Sequence, residues 1–244
     1  MKFLKNHPFA VQAFFKSSIV LTFALPKEQL QDLIPKCLEL DTFKSKWAFM
    51  AVAMVRTTEL RPKGFPKFMG NDFFLIGYRI FVRYTNNAGK RLRGLYIIKS
   101  QTDKKKMEFF GNIFTHYNYT TTDIEQTTQG NFKSIKSEQS DFHVTIKRTD
   151  SDITIPENSP FTDWKDARKF AGPLPHTFTV NMEDKTVLTI LGVRQNWKPE
   201  PIKIESYHFD FLDSLKLQNV VLANAFEIKN VPYQWEKGKI EEWK

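Results

Sequence analysis

The stretch "KWAFMAVAMVRTTELRP" (46–62) limits the fold more than any other part of the chain. Read with a period of two, Trp47, Phe49, Ala51, Ala53 and Val55 fall on one side and Ala48, Met50, Val52 and Met54 on the other. Both sides are apolar. A strand of this kind needs cover on both faces, so it lies deep in a layered or closed β-structure. The rest of the chain can supply that cover. Of its 244 residues 41% are hydrophobic, and 23 are Phe, which favours strands and fills wide interiors.

The remaining segments agree with a β-rich chain. "SSIVLTFAL" (17–25) reads as a first strand, and "PKEQLQDLIP" (26–35) as one short helix between two prolines. After a Pro- and Gly-rich loop (61–71), "DFFLIGYRIFVRYT" (72–85) and "KRLRGLYIIKSQ" (90–101) form a hairpin through "NNAG". "DKKKMEFFGNIFTHY" (103–117) predicts a helix with Asp103 as its cap and a stripe of Met107, Phe110, Ile113 and Phe114. Segments 118–127, 131–137 and 141–149 read as a meander. Residues 160–172 read as a helix started by Thr162 or Asp163 and ended at Gly172. A hairpin over 176–195 and strands at 205–214 and 219–231 complete the chain. Strands and helices never alternate regularly, which argues against a parallel α/β fold. The expectation is one domain over residues 1–244, mostly β, built as a closed or nearly closed antiparallel barrel or sandwich with a few peripheral helices.

Charge and special residues narrow the function. The formal net charge of +9 fits nucleic acid, an anionic membrane surface or an acidic small molecule. The only dense basic run is "DKKKM" (103–107), and acidic residues interleave elsewhere, which disfavours nucleic acid. One cysteine, Cys37, allows no intramolecular disulfide and no Cys-based zinc site. Lys16 splits the apolar run near the N-terminus and no A-x-A cleavage site follows, so no signal peptide is expected. No membrane span is expected either. The expected location is the cytoplasm. The histidines, His7, His116, His143, His176 and His208, never pair at i+2 or i+4, so no metal site is expected, and no nucleotide- or cofactor-binding motif occurs. His208 and Asp210 share a strand face in "YHFDF", for which hydrogen-bonded packing is the plain reading and half a metal site the alternative.

The hairpin "YRIFVRYTNNAGKRLRGLYIIKS" (78–100) carries four arginines. Arg79, Phe81 and Arg83 share one face of its first arm. Two arginines turned inward need an anion or carboxylates, because uncompensated buried charge is costly. A pocket for a small carboxylate, gripped by a bidentate arginine, is one reading; pairing with structural Asp or Glu, or exposure to solvent, is the other.

Residues 17–120 resemble the DUF2071 (YqjF-like) family of the acetoacetate decarboxylase-like superfamily. The resemblance rests on an ordered succession: an early strand, "LPKEQLQDLIPKCLELDTF", "AFMAVAMVRTTELRP", the hairpin "RIFVRY…G…GLYIIKS", then a helix with a central Gly111 that ends in "HYNY". It implies a β fold around a buried cavity, with the Arg83 side of the hairpin facing inward. In the decarboxylase branch a lysine kept neutral by its surroundings forms a Schiff base with a β-keto acid. Here "GNIFTHYNYTTTDIEQ" (111–126) holds no lysine; the expected place falls near Tyr119–Thr120, and the nearest downstream lysine is Lys133. Asn112 stands where the decarboxylases have an arginine, and Arg79 where an acidic residue is expected.

The leading expectation is thus a domain that binds, and in an enzymatic version transforms, a small organic acid or other small anion without the usual lysine and without a cofactor. Its pocket residues would be Arg79, Arg83, His116, Tyr117 and Tyr119. One alternative is a β-keto-acid decarboxylase using Lys104, Lys105, Lys106 or Lys133. Another is a basic nucleic-acid-binding or scaffold protein. Homo-oligomerisation stays open.

Overall fold

The computed structural model describes residues 4–149 and 153–243. In chain order the elements are β1 (Val11–Pro26), β2 (Glu39–Leu40), β3 (Trp47–Pro62), β4 (Asn71–Thr85), β5 (Arg91–Thr102), α1 (Lys105–Phe114), β6 (Tyr119–Thr121), β7 (Glu125–Gln129), β8 (Phe132–Ser137) and β9 (Phe142–Lys147). They continue with α2 (Trp164–Ala171), β10 (His176–Asn181), β11 (Thr186–Arg194), β12 (Glu200–Pro201), β13 (Lys203–Phe209), α3 (Asp210–Ser214), β14 (Val221–Trp235) and β15 (Lys239–Glu242).

Seven strands form a ring in the order β14-β1-β3-β4-β5-β10-β11, closed by pairing of β11 with β14. The mostly β, closed architecture expected from the sequence is present, with one amendment. Strand directions must return to themselves around a ring, so the number of antiparallel joints is even. Seven joints therefore require at least one parallel joint, and it is β5–β10. Gly94 makes that joint fit: a Cβ there would lie 2.5 Å from the His176 carbonyl oxygen.

A second sheet, β13-β9-β8-β7, covers part of the ring's outer face. Ile135, Phe142, Val144 and Phe209 from it pack with Ile19, Leu21, Val52, Met54, Ile76 and Tyr78 of the ring. The alternate residues of the same strands point inward. This is the two-sided burial that the period of two in β3 demanded: every residue from Ala48 to Val55 is buried. Segments around α2 fill one end of the ring, where Phe49 stacks on Phe161 at 5.4 Å between centroids and Ala167 and Ala171 pack beside Phe81. At the other end α1 sits against Phe73 and Tyr119.

Several elements differ from the sequence expectation. Residues 26–35 form two 3₁₀ turns, Lys27–Gln29 and Gln31–Leu33, because β1 runs through Pro26 and leaves too little chain before Pro35 for an α-helix. Asp103 does not cap α1; its carboxylate accepts from the Phe74 backbone N–H at 2.7 Å and so ties β4 to the end of β5. The strand expected over 205–214 ends at Phe209, and Asp210–Ser214 is a helical turn. Among the described residues no helix is long and apolar enough to cross a membrane.

Candidate functional site

Between the α2 end and the α1 end the ring encloses a cavity of about 550 Å³. Its existence follows from small residues on the inner face. Ser18 of β1, Ala51 and Ala53 of β3 and Ser100 of β5 all line it. Opposite Ala53 in the β3–β4 register stands Gly77, and opposite Ala51 stands Arg79. A register shift between Tyr78 and Arg79 leaves Ile98 without a partner on β4, so that Leu95, Ile97 and Ser100 all reach the inner face.

The Arg79 side chain bends back over Gly77. A Cβ at Gly77 would lie 3.2 Å from Nε and 3.3 Å from Nη2 of Arg79, so the glycine is the seat of the guanidinium. Arg79 Nε is buried and has no hydrogen-bond partner, and among the described residues Arg79 makes no ion pair. No Asp or Glu lines the cavity, whereas Arg61, Arg79, Lys106 and Arg194 do. Burial pulls the Arg79 pKa below its ordinary value, against the opposing influence of the Tyr233, Tyr119 and Tyr117 ring oxygens. Guanidinium does not give up its proton in proteins, so the cost of burial appears as an unmet demand for an anion or water. The other lining arginines are better served. Arg61 donates to the Phe65 and Glu59 carbonyls at 2.9 and 2.6 Å. Arg194 donates to the Pro173 carbonyl and lies over Trp197 at 5.3 Å, while its Nε, like that of Arg79, is buried without a partner.

Arg83 was expected on the same wall, and here the structure differs. It stands directly opposite Arg93 in the β4–β5 register. Asp41, whose side chain is fully buried, accepts from Arg83 Nε through one oxygen and from Arg93 Nε through the other, both at 2.6 Å. The pair would repel without it; Asp41 makes them a structural triad. Arg91 pairs with Glu39. Three of the four hairpin arginines are thus neutralised by carboxylates near β2, and Arg79 alone faces the cavity.

The α1 end of the cavity is tyrosine-rich. Gly111 lets β6 approach the helix: a Cβ there would lie 2.4 Å from the Tyr119 ring. Asn112 clasps the backbone of Tyr119, donating to its carbonyl at 2.9 Å and accepting from its N–H at 2.8 Å. Tyr117 and Tyr119 both line the cavity with ring centroids 6.2 Å apart, and Thr177 lines it as well. Burial raises both phenols, Tyr119 up to about 12, so both keep their protons at neutral pH and can donate. His116, expected beside them, turns outward to Asn6, with Nε2 to Oδ1 at 3.2 Å.

Lysines are sparse here. Lys106 lies on the cavity rim, exposed to solvent. Lys104 and Lys105 do not line the cavity, and Lys104 lies 3.9 Å from Asp103. Lys133 sits on β8 of the second sheet, 3.8 Å from Glu227. His208 faces Asp213 at 3.3 Å and Asp141 at 3.5 Å, not Asp210, because the helical turn after Phe209 rotates Asp210 away. Among the described residues no cluster of three His, Cys, Asp or Glu side chains is arranged for a metal ion. Sequence reasoning did not reach Arg194, Tyr233 or Gly77. The first two come from the far end of the chain through the β11–β14 closure. Gly77, two residues before Arg79 on one strand face, was readable in principle.

Comparison with solved structures agrees with this architecture. The fold is similar to acetoacetate decarboxylase from Legionella pneumophila, with a TM-score of 0.62 at 12% identity over 96% of this chain and 88% of that one. It is similar to an acetoacetate decarboxylase-like enzyme from Sphingomonas wittichii, with a TM-score of 0.58 at 11% identity over 98% and 95%. It is also similar to the enduracididine biosynthesis enzyme MppR complexed with pyruvate, with a TM-score of 0.55 at 9% identity over 96% and 90%. Identities this low speak for the fold alone. No curated protein matches the sequence. The family model for DUF2071, described as an uncharacterized conserved protein, matches residues 13–236, nearly the whole ring from β1 to β14, and the chain belongs to that family.

Proposed function

We propose that this protein binds a small organic acid inside the ring, with Arg79 holding the carboxylate and Tyr117 and Tyr119 as neutral hydrogen-bond donors to the rest of the ligand's polar end. The observation that carries this reading is the Arg79 guanidinium, whose buried Nε has no hydrogen-bond partner, in a cavity lined by four cations and no carboxylate. An anion entering such a site gains a charge-assisted, forked contact in a medium poorer in water than bulk. Pyruvate in MppR and the substrate implied by the name acetoacetate decarboxylase are both small keto acids, and a keto acid suits this polar end: carboxylate to Arg79, carbonyl oxygen to a phenol. No amine stands at 117–120, so binding proceeds without an imine there.

A second reading is favoured by one observation, the place of Lys106 on the rim: a keto-acid decarboxylase whose Schiff base forms on that lysine. The two are separated by reductive trapping, argued below. Binding itself is tested by calorimetric titration with pyruvate, acetoacetate and other carboxylates. Arg79→Ala is expected to weaken carboxylate binding at least about 30-fold, the cost of removing one partner from a buried charge contact. Arg83→Ala is expected to lower the melting temperature and leave that affinity within about threefold, since Arg83 serves Asp41. Equal affinity in the wild-type protein and Arg79→Ala would rule the reading out.

A further inference from the structure

Resting on that reading of the site, we infer that the acid it takes is a long-tailed one: a carboxylate carrying an extended alkyl or aryl chain of roughly eight to twelve carbons. Three observations meet in this assignment. The first is size. A short keto acid of about seven non-hydrogen atoms, given about the 30 Å³ that a water takes for each, fills under half of 550 Å³. The second is shape. Inward residues of β4 run from Phe73 through Leu75 and Gly77 to Arg79, and their β3 partners Thr57, Val55, Ala53 and Ala51 line the same length. The guanidinium lies over Gly77, so an elongated slot continues from it along the four residue steps to Phe73, about 13 Å. The third is lining. Between Arg79 and the rim the wall includes Leu75, Ala53, Val55, Phe73 and Met107, with Thr57, Ser100, Tyr117 and Tyr119 as neutral polar groups among them and no carboxylate.

The rim continues the pattern. Phe9, Phe65, Met69 and Phe110 all line the cavity and all are exposed, by 37 to 50% of their surface. Exposed aromatic side chains are costly unless they meet something apolar. At a cavity mouth they shield the end of a tail that passes between α1 and the 65–69 loop. The carboxylate then sits deep on Arg79, over Gly77, and the tail follows the strip of small and aliphatic residues outward.

The test is calorimetric titration of the wild-type protein with straight-chain acids from butanoate to decanoate, kept below their critical micelle concentrations, together with decanol. Each added methylene is expected to tighten binding two- to fourfold until the slot is full, hence at least about 50-fold from butanoate to decanoate. Thr57→Phe, which fills the slot beside Phe73, four residues along β3 from the pair that seats the guanidinium, is expected to weaken decanoate at least tenfold and leave butanoate within threefold; circular dichroism verifies its fold. Affinity that does not change with chain length, but still falls in Arg79→Met, overturns the long-tailed ligand and leaves the carboxylate site standing. Affinity that rises with chain length but is equal for decanoate and decanol, and indifferent to Arg79→Met, overturns the acid reading and this assignment together. Length dependence that survives Thr57→Phe unchanged places the tail outside the slot and overturns the assignment alone. If no acid of any length binds, both fall.

Discussion

Asp41→Asn is expected to destabilise the protein by about 3 kcal/mol, enough to lower its melting temperature by roughly 6–12 °C for a domain of this size. The residue is fully buried and its two oxygens are divided between Arg83 and Arg93, which the β4–β5 register sets face to face. Asparagine keeps the shape but loses the charge, and one of its two positions becomes a donor aimed at a donor. The arginines keep 26% and 33% of their side-chain surface, so water relieves part of the repulsion and the lower end of the range for broken buried ion pairs applies. A coupling test sharpens the point. Adding Arg83→Leu to Asp41→Asn is expected to cost much less than Arg83→Leu alone, because the second change removes one of two cations already without a counter-charge. Thermal denaturation followed by circular dichroism measures both. A melting temperature within 2 °C of the wild type in Asp41→Asn would show that the triad is not a source of stability. Carboxylate affinity is expected to survive in Asp41→Asn at permissive temperature, which separates this cluster from the cavity.

The triad also shows where sequence reading stops. A period of two placed Arg79 and Arg83 on one strand face, and they do share it. Whether that face meets a cavity or a carboxylate at each position depends on what lies opposite. At Arg83 the answer is Asp41, 42 residues earlier, delivered by the short pairing of β2 with β4. At Arg79 the answer is empty space, produced jointly by Ser18, Ala51, Ala53 and Ser100 on different strands, with Gly77 seating the guanidinium at its edge. Each small residue was visible in the chain, but their convergence is a property of register. The two apolar faces of β3 were legible because both solutions, a second sheet outside and a cavity inside, demand apolar residues. The helix α1 was legible for its period, and Gly111 for its place in the family succession. The outward turn of His116 was not, since its partner Asn6 belongs to a segment 110 residues earlier. The closing strands β11 and β14 carried no signal of their pairing, so Arg194 and Tyr233 stayed out of reach.

Tyr119→Lys is expected to turn a protein that cannot be trapped by borohydride into one that is trapped nearly completely. The alternation of β6 decides which position matters: Tyr119 is buried and lines the cavity, whereas Thr120 is exposed on the other side. The backbone at 119 is held by Asn112 through main-chain atoms only, so the clasp survives the exchange of side chain. A lysine there would be buried and would share its surroundings with Arg79, whose charge already acts on Tyr119. Desolvation and a neighbouring cation both lower an ammonium pKa, so a substantial share of free amine is present near neutral pH. With acetoacetate the amine attacks the ketone carbon, water leaves, and the resulting imine takes a hydride from borohydride to become a stable secondary amine. Intact-mass spectrometry then reads the product. An added isopropyl group means carbon dioxide left before reduction, and a group still carrying its carboxylate means it did not. Thr120→Lys is the control, with the same residue one step along the strand and no expected adduct. The wild-type protein is expected to give none, because the cavity interior lacks an amine and Lys106 is solvated on the rim. An adduct on wild-type Lys106 would establish the decarboxylase reading instead. A folded Tyr119→Lys protein that stays unmodified would show that Arg79 and burial do not make position 119 an imine-forming site. Loss of the Tyr119 ring from its seat on Gly111 costs about 3 kcal/mol at most positions of this kind, so the trapping is carried out below the variant's own melting temperature.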